Sequence, residues 1–332
     1  MCIINRYRKG VPLPKRLLED CIYRIRFLKL YFQNGYTVKT FLFYPSYPSK
    51  RSVLYKLMGI LKYNRTNNPR QKFDRAIHWE TETYRQEIPL LKDIHARQPV
   101  INYHCRDISK RFIDDVHQEI FGYRTMIDPL RFRGPCVRKS NLNALHDGQV
   151  VECPVSSAEP DTVYQILINN ECEPGIVEDI RIPVFEDEIP LAYLKYKPVD
   201  NRFGSYLKFP HLNKNTEIVS PGRVFSDREL EQIRRFARRI GLEYGELDIL
   251  RNRDDGKIYI VDANNTPTGP SHLDKTNPQG SAAYYGQRLS QSFSFLPATS
   301  RSSTCLIPRE IWNTSSTLFL PSAPICRRRP GF

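Results

Sequence analysis

Two carboxylates and one amide late in the sequence have the types and spacing of a ligand set for a divalent metal ion: Asp248, Asp262 and Asn264. If residues 260–264 form a strand, side chains alternate between its faces, so Asp262 and Asn264 point the same way and Asn265 points away. Antiparallel pairing with the preceding apolar run can bring Asp248 beside them. Such hard oxygen ligands suit Mg²⁺, which usually keeps other positions for water and substrate phosphates. The alternative is an ordinary hairpin with solvated acids near its ends.

A β-hairpin is the element that must hold these three side chains. Apolar runs at residues 247–250 and 258–261 flank a polar turn at residues 254–256, which is a strong hairpin signal. Before it, Ser226 and Glu229 form a capping box at the start of a helix whose apolar residues repeat at helical spacing and which a glycine can end. Packed behind the hairpin, this helix would fix the angle at which the two carboxylates meet.

The hairpin resembles the metal-binding hairpin of the ATP-grasp superfamily. The residues that carry the resemblance are Leu-Asp-Ile-Leu, a loop ending in Asp-Gly, and Tyr-Ile-Val-Asp-Ala-Asn-Asn-Thr-Pro. The pattern is similar to D-alanine:D-alanine ligases and glutamate-adding ligases, whose second strand reads acid, any residue, Asn. Asp262 stands where those ligases more often have Glu, and its shorter reach leaves open whether one or two ions are held.

Two lysines match the family's nucleotide-binding positions. Lys110 opens a predicted helix that Phe121-Gly122 closes, and the resemblance implies that it binds nucleotide. Lys139 ends a predicted strand before the loop 141–148, and the resemblance implies that it reaches the α and β phosphates and takes part in catalysis. A solvated lysine is the alternative for Lys110. The loop has a single glycine, so side chains could replace backbone amides as phosphate donors: Asn141, Asn143 and His146.

A strand predicted at residues 162–170 corresponds to the linker between the two halves of the ATP-grasp fold. In the family this linker hydrogen-bonds adenine through its backbone and lays apolar side chains on the ring. The resemblance therefore implies that Gln165 and Ile168 contact the nucleotide. Gln165 stands where many members of the family have Glu.

A second hairpin, predicted between residues 177 and 195, supplies further charges. Asp-Ile-Arg followed by an apolar strand looks like the glutamate-adding ligases, and the resemblance implies that Asp179 meets the ribose. Lys195 and Arg202 fall where these ligases keep positive charge for the γ-phosphate and the acyl-phosphate, and the resemblance implies a catalytic role for Arg202. Exposed strand cations are the alternative for both.

The positive charge of the chain is concentrated at its N-terminus. Residues 1–75 contain 17 lysines and arginines against three acids, so this segment accounts for the net charge of +14 of the whole chain; the acids are Glu19, Asp20 and Asp74. A basic amphipathic helix is predicted at residues 15–32. Its apolar stripe would meet a sheet, or the segment could bind an anionic membrane or nucleic acid.

The order of predicted elements favours an α+β architecture. The resemblance implies an ATP-grasp fold of two α+β lobes at residues 101–289, preceded by a small basic α/β domain at residues 1–100 in which strand, helix and strand follow one another. Residues 290–332 are rich in Ser, Thr and Pro without either period, which predicts a disordered tail.

Composition indicates a soluble, cytoplasmic protein. The 332 residues are 40% hydrophobic, but no apolar run approaches the length of a membrane span. The eight cysteines include no Cys-x-x-Cys pair, so neither a zinc knuckle nor a disulfide framework is indicated. We expect most of them to be buried thiols in a reducing compartment.

The resemblance implies an enzyme that binds ATP with Mg²⁺ or Mn²⁺ and joins a carboxylate to an amine through an acyl-phosphate, forming a C–N bond. Its substrates would be small-molecule or peptide carboxylates and amines, and the sequence does not identify them. Two alternatives stay open: an ATP-dependent phosphotransferase, and an inactive protein that binds nucleic acid or a membrane surface through residues 1–75 while its ATP-grasp fold is vestigial.

Overall fold

Five α-helices and three β-sheets make up the described part of the chain, which in this computed structural model comprises residues 13–203 and 216–268. All of these residues belong to the same compact unit. The combination of helices with several sheets confirms the predicted α+β class. The tail predicted at residues 290–332 lies outside the described residues, and the domain boundary at residue 100 stays a prediction. None of the described helices is long and apolar enough to span a membrane.

A parallel four-stranded sheet opens the fold. Its strands are β1 (Thr40–Pro45), β2 (Asn64–Thr66), β3 (Arg75–Trp79) and β4 (Val100–Ile101), in the order β2-β1-β3-β4. Three helices accompany them in the chain: α1 (Leu13–Gln33), α2 (Val53–Ile60) and α3 (Pro89–His95). Parallel strands require crossover connections, and α2 and α3 lie in two of them. The predicted α/β unit is therefore present.

Helix α1 buries little of its apolar surface. Tyr23 and Leu30 are buried, and Asn64 Nδ2 donates a hydrogen bond of 2.6 Å to the Tyr23 hydroxyl. Most of its other apolar side chains are more than half exposed: Leu17, Leu18, Ile22, Ile25, Leu28 and Phe32. The predicted packing of the apolar stripe against a sheet is therefore wrong. The buried contacts of α1 include Tyr23, whose hydroxyl accepts the hydrogen bond from Asn64, and most of the stripe stays exposed.

Helix α4 (Lys110–Phe121) has the two ends that the sequence predicts. Ser109 Oγ accepts a hydrogen bond from the backbone N–H of Phe112, and Gly122 takes the left-handed conformation with φ of 84°. An antiparallel sheet follows, with strands β5 (Gly134–Ser140), β6 (Gln149–Cys153) and β7 (Thr162–Ile166) in the order β6-β5-β7. The predicted strand, loop and strand are confirmed, but β7 ends earlier than the predicted residue 170.

The largest sheet contains both predicted hairpins. Its strands are β8 (Glu171–Glu173), β9 (Ile176–Phe185), β10 (Ala192–Pro198), β11 (Thr216–Val219), β12 (Tyr244–Arg251) and β13 (Ile258–Asn264). The order is β11-β10-β9-β12-β13, with β8 paired to β9, and all pairs are antiparallel. Strands β9 and β12 are therefore central in this sheet.

Helices α4 and α5 (Asp227–Arg239) share one hydrophobic core with this sheet. Helix α5 has the predicted capping box between Ser226 and Glu229. The core takes Ile233 and Phe236 from α5 and alternate residues from the strands, among them Ile182 and Leu247, all fully buried. The opposite face of β9, β10, β12 and β13 is left for the polar residues that alternate with them.

His117 on α4 is a neutral polar residue enclosed by aromatic rings. Its ring is fully buried and stacks on Phe121 with centroids 4.3 Å apart, and the Tyr259 ring lies at 5.8 Å with its plane inclined by 28°. Neither ring nitrogen has a hydrogen-bond partner in the described part of the chain. Desolvation lowers the pKa of His117 to about 4, although Asp114 opposes this shift.

Acid should therefore destabilise the protein through His117. The unfolded chain takes up a proton at a pKa of 6.5 and the folded chain only at a pKa of about 4, so stability present above pH 6.5 is lost as the pH falls through this window. The shift corresponds to about 3 kcal/mol. In denaturant titrations, His117→Phe should flatten the dependence of unfolding free energy on pH between 6.5 and 4. His104→Gln, at an exposed position, should leave that slope unchanged, and equal slopes in all three proteins would contradict the assignment.

Candidate active site

A row of four side chains crosses the polar face of the large sheet. Tyr193 on β10 pairs with Arg181 on β9, Arg181 pairs with Asp248 on β12, and Asp248 pairs with Asp262 on β13. Directly opposite residues in antiparallel strands have Cα atoms about 4.5–5.5 Å apart. The structure thus brings together two of the three residues predicted as metal ligands.

A β-bulge aims Asp262 at this face. Asp248 pairs with Asp262 but the next pair is Ile249 with Ile260, so Val261 is an extra residue on β13. Ile260 consequently lies in the core while Asp262 lies on the polar face. The simple alternation predicted for residues 260–264 holds only from Asp262 onward, because a bulge shifts the facing of the residues before it.

The third predicted ligand, Asn264, lies opposite Glu246. Its Oδ1 accepts a hydrogen bond of 2.9 Å from the backbone N–H of Thr266. Asn265 points away as predicted, since it is buried with Nδ2 3.9 Å from the Cys105 sulfur. Glu246 is a buried acid that the sequence analysis missed. Its position two residues before Asp248 on one strand is the signal that places both on one face.

Arg181 is the second residue that the sequence analysis missed. Its Nε and one terminal nitrogen donate to the two oxygens of Asp248 at 2.5 and 2.6 Å, and its other terminal nitrogen lies 3.3 Å from Glu246 Oε2. Desolvation favours the neutral form of Asp248, but Arg181, Lys195 and Lys197 together outweigh it and the pKa of Asp248 is lowered. The signal was its place two residues after Asp179, on the same face of β9.

Asp262 is a carboxylate that lacks such a partner. Its Oδ1 is buried without a hydrogen-bond partner among the described residues. Desolvation raises its pKa, Asp248 adds to the rise, and Lys110 and Lys139 oppose it. Desolvation and Lys110 lower the pKa of Lys139 to about 8, while Asp262 and Asp248 oppose that shift. Lys110, Lys139, Asp248 and Asp262 therefore form one electrostatically coupled group.

Lys195 extends this group along β10. Its side chain is buried, and desolvation together with Arg181 lowers its pKa to about 7, against the opposing charges of Asp248, Glu246 and Asp179. Asp179, directly opposite Lys195, forms an ion pair with Lys197. Of the predicted nucleotide residues on the second hairpin, Lys195 and Asp179 thus form the pair next to the row on the same face.

The linker residues and Arg202 have polar partners outside the row of four side chains. Gln165 Nε2 donates to Thr125 Oγ1 at 2.6 Å within a buried network, so its side chain serves the fold. Arg202 donates to the carbonyl of Ile168 at 2.9 Å and to Asn170 Oδ1 at 2.5 Å, and Asn170 also donates to Asp179. The structure therefore places Arg202 at the linker and does not group it with Lys139.

Hydrogen bonds hold the loop 141–148 to α4, to β13 and to Tyr84. Lys110 Nζ donates to the carbonyl of Leu142 at 2.6 Å, and Asn143 Nδ2 donates to the carbonyl of Ala263 on β13 at 2.9 Å. Asn141 Nδ2 donates to the hydroxyl of Tyr84 at 2.8 Å. The amides of Asn141 and Asn143, expected as phosphate donors, are thus used to hold the loop, whereas His146 is exposed.

The donor set on β12 and β13 fits a hard divalent ion. Within residues 13–203 and 216–268 no three His, Cys, Asp or Glu side chains are placed to hold a metal by themselves. Two carboxylates and an amide, with the buried oxygen of Asp262 lacking a partner, nevertheless suit Mg²⁺ or Mn²⁺ when water or phosphate supplies the other ligands.

Solved ATP-grasp ligases are among the structures similar to this chain, in agreement with the predicted resemblance. The ATP-grasp ligase PsnB with a minimal precursor is 17% identical over 61% of this chain and 66% of that chain, slightly under two thirds of its length, with a TM-score of 0.41. A D-alanine–D-alanine ligase from Bacillus anthracis is 12% identical over 77% of this chain and 96% of that chain, with a TM-score of 0.46. A RiPP-associated ATP-grasp ligase from Chryseobacterium gregarium, in complex with ADP and a leader and core peptide, is 10% identical over 79% of this chain and 98% of that chain, with a TM-score of 0.45.

No family model matches the sequence, and no curated protein matches it. The identities to the solved structures are low, so the roles of individual residues rest on the geometry of this chain.

Replacing Arg181 by Met should destabilise the protein by about 2 kcal/mol, between the values for exposed and buried ion pairs, because the side chains of Arg181 and Asp248 are only 23% and 28% exposed. Denaturant unfolding at pH 7 measures this change. The Arg181→Met, Asp248→Asn double variant should recover part of the loss, since the unpaired carboxylate is removed. Arg223→Met, which breaks an exposed pair with Glu217, is the matched control, and an equal loss there would contradict a special role for Arg181.

Proposed function

We propose that this protein binds Mg·ATP on the polar face of the large sheet and uses it as an ATP-dependent ligase. The observation that carries the proposal is the register that sets Asp248 opposite Asp262. Lys110 and Lys139 interact electrostatically with this pair, and Lys195, on β10, lies two strands away from Asp248. Lysines and a divalent ion are the groups that neutralise a triphosphate. Most buried polar atoms in folded proteins have a hydrogen-bond partner, so the unpartnered Asp262 Oδ1 among the described residues supports a ligand at this position.

In this proposal each charged residue has a distinct task. Lys139 and Lys110 contact the phosphates, and Lys195 faces the γ-phosphate from the other side of the row. Asp179 accepts hydrogen bonds from the ribose. The backbone near Gln165 and Ile168 receives adenine, and Arg202 stiffens this linker through the Ile168 carbonyl, so its predicted catalytic task becomes one of positioning.

Asp248, Asp262 and Asn264 would hold Mg²⁺ or Mn²⁺, which when bound supplies positive charge to the phosphate oxygens. Arg181 keeps Asp248 ionised and fixed in orientation. The chain's own contribution to the chemistry is therefore positioning and charge neutralisation, which are the main requirements of phosphoryl transfer.

The proposed reaction joins a carboxylate to an amine. A substrate carboxylate oxygen attacks the γ-phosphorus, ADP leaves, and the amine then displaces phosphate from the acyl carbon to form a C–N bond. The carboxylate and the amine are small molecules or peptides; peptides are worth testing first because two of the similar solved ligases are complexes with a precursor or with leader and core peptides. A screen of carboxylates and amines that detects ADP and the joined product separates this reaction from phosphate transfer to an alcohol.

Asp262→Asn should lower Mg²⁺-dependent ADP formation at least roughly a hundredfold, because the loss of one carboxylate ligand costs several kcal/mol of charge stabilisation in a shielded site. Binding of Mn²⁺ with an ATP analogue, followed by electron paramagnetic resonance, should weaken in parallel. Asp254→Asn, in the exposed turn of the same hairpin, should match the parent in both assays. Full Mn²⁺ affinity in Asp262→Asn would refute the metal assignment.

Nucleotide binding should be coupled to proton uptake. Near pH 8 about half of the Lys139 side chains are neutral in the free protein because its pKa is about 8, and a bound triphosphate would raise that pKa and draw in protons. The phosphates of ATP have already lost their protons at this pH. Calorimetry of Mg²⁺ with an ATP analogue in two buffers of different ionisation enthalpy should show uptake that Lys139→Met reduces and that the exposed control Lys92→Met does not. Proton release on binding would contradict the placement of Lys139.

A further inference from the structure

Two buried thiols lie in contact across the hairpin that carries the loop 141–148. Cys136 on β5 and Cys153 on β6 have sulfur atoms 2.9 Å apart. Cys136 pairs with Val151 and Cys153 with Gly134, so the two cysteines are diagonal neighbours on the same face of the sheet. They are packed with Tyr164 in a small hydrophobic cluster. A disulfide requires sulfurs about 2.05 Å apart, so the two sulfur atoms must approach each other by a further distance of less than about 1 Å.

The other described cysteines have different surroundings. Cys105 is buried beside Asn265, the Cys172 sulfur contacts the carbonyl of Ile176, and Cys21 is exposed on α1. The contact between sulfurs is therefore a property of the β5–β6 pair and does not follow from burial alone.

We infer that Cys136 and Cys153 form a reversible disulfide bond, with a low-molecular-weight disulfide as the oxidant. One protein thiol loses its proton and attacks the oxidant, which releases one small thiol and leaves a mixed disulfide. The second protein thiol then loses its proton and displaces the other half of the oxidant. Two electrons pass from the protein sulfurs to the oxidant, and two small thiols carry away the protons.

The edge of the sheet provides the entry point for the oxidant. Strand β6 is an edge strand, and Cys153 is 7% exposed whereas Cys136 is fully buried. Local opening of edge strands costs less than global unfolding, so the first attack starts at Cys153. Desolvation raises the pKa of the Cys136 thiol to about 12, which makes the reaction slow. The contact between the two sulfur atoms favours Cys153 as the partner over other thiols.

The bond would close the base of the loop 141–148. The two cysteines are 17 residues apart in sequence, and Lys139 lies between them on β5. A crosslink of this length restricts the unfolded chain and stabilises the fold. Formation of the bond is independent of nucleotide binding, so the inference can be tested even if the proposed function is wrong.

The test is thiol mapping of the full chain. The protein is incubated with excess glutathione disulfide under native conditions, its remaining thiols are blocked with iodoacetamide, and the digest is analysed by mass spectrometry. We expect two of the eight thiols to disappear together in one peptide pair that links Cys136 to Cys153, and the oxidised protein to melt several degrees above the reduced protein. Reduction should reverse both changes.

Matched variants assign the effect. Cys153→Ser and Cys136→Ser should each lose the linked peptide and the rise in melting temperature, whereas Cys105→Ser should keep both. Mapping of the parent decides the question even if a variant fails to fold. The inference is overturned if Cys136 and Cys153 are both recovered alkylated, if they carry separate glutathione adducts, or if the disulfide-linked peptides contain a different pair of cysteines.

Discussion

The ion pair between Arg181 and Asp248 is the interaction on which the polar face of the large sheet depends. Strands β9 and β12 are central, and this pair joins them through two hydrogen bonds at directly opposite positions. Without the guanidinium, Glu246, Asp248 and Asp262 would be three carboxylates on adjacent strands, a like-charge arrangement that favours protonation of at least one of them. Desolvation lowers the pKa of Lys195 to about 7, and repulsion by Arg181 adds to this shift. One arginine thus contributes to the pKa of residues on three other strands of this sheet.

The apolar face of the sheet keeps this charged row rigid. Ile182 and Leu247 alternate with the polar residues and are fully buried under α4 and α5, so a slip of one residue in register would exchange the core and the row. Gly245 permits a further close approach, because a Cβ there would lie 2.5 Å from the carbonyl oxygen of Asn264. Any larger residue would push β13 away at the position where Asn264 faces Glu246.

Local signals made much of the fold predictable. The ends of α4 and α5 follow from Ser109, Gly122 and the capping box at Ser226, and the β12–β13 hairpin follows from its turn residues. Each of these signals acts over a few residues, and the sequence displays it directly.

The errors concern partners that are distant in sequence. Arg181 is 67 residues from Asp248, so no spacing rule connects them, and the bulge at Val261 depends on how β12 and β13 pair. The amide of Asn143 reaches a carbonyl 120 residues away. The spacing of apolar residues predicts helix α1. Which side of this helix is buried depends on tertiary contacts such as the hydrogen bond from Asn64 to Tyr23. Residue types predict what a side chain can do, whereas tertiary packing decides which partner uses it.

The charges around Asp262 have a consequence for how ligands would bind under the proposed function. Desolvation disfavours the ionised form of Asp262 and the charged form of Lys139 at the same time, so the pKa of Asp262 is raised and that of Lys139 is lowered. A cation beside Asp262 stabilises the carboxylate, and an anion beside Lys139 stabilises the ammonium. A bound cation would reduce the repulsion between the anion and the carboxylates of Asp248 and Asp262. A bound anion would likewise reduce the repulsion between the cation and the two lysines, Lys110 and Lys139. The site should therefore favour a nucleotide and a divalent ion together over either one alone, and the coupling between them arises from the mixed charges of this row.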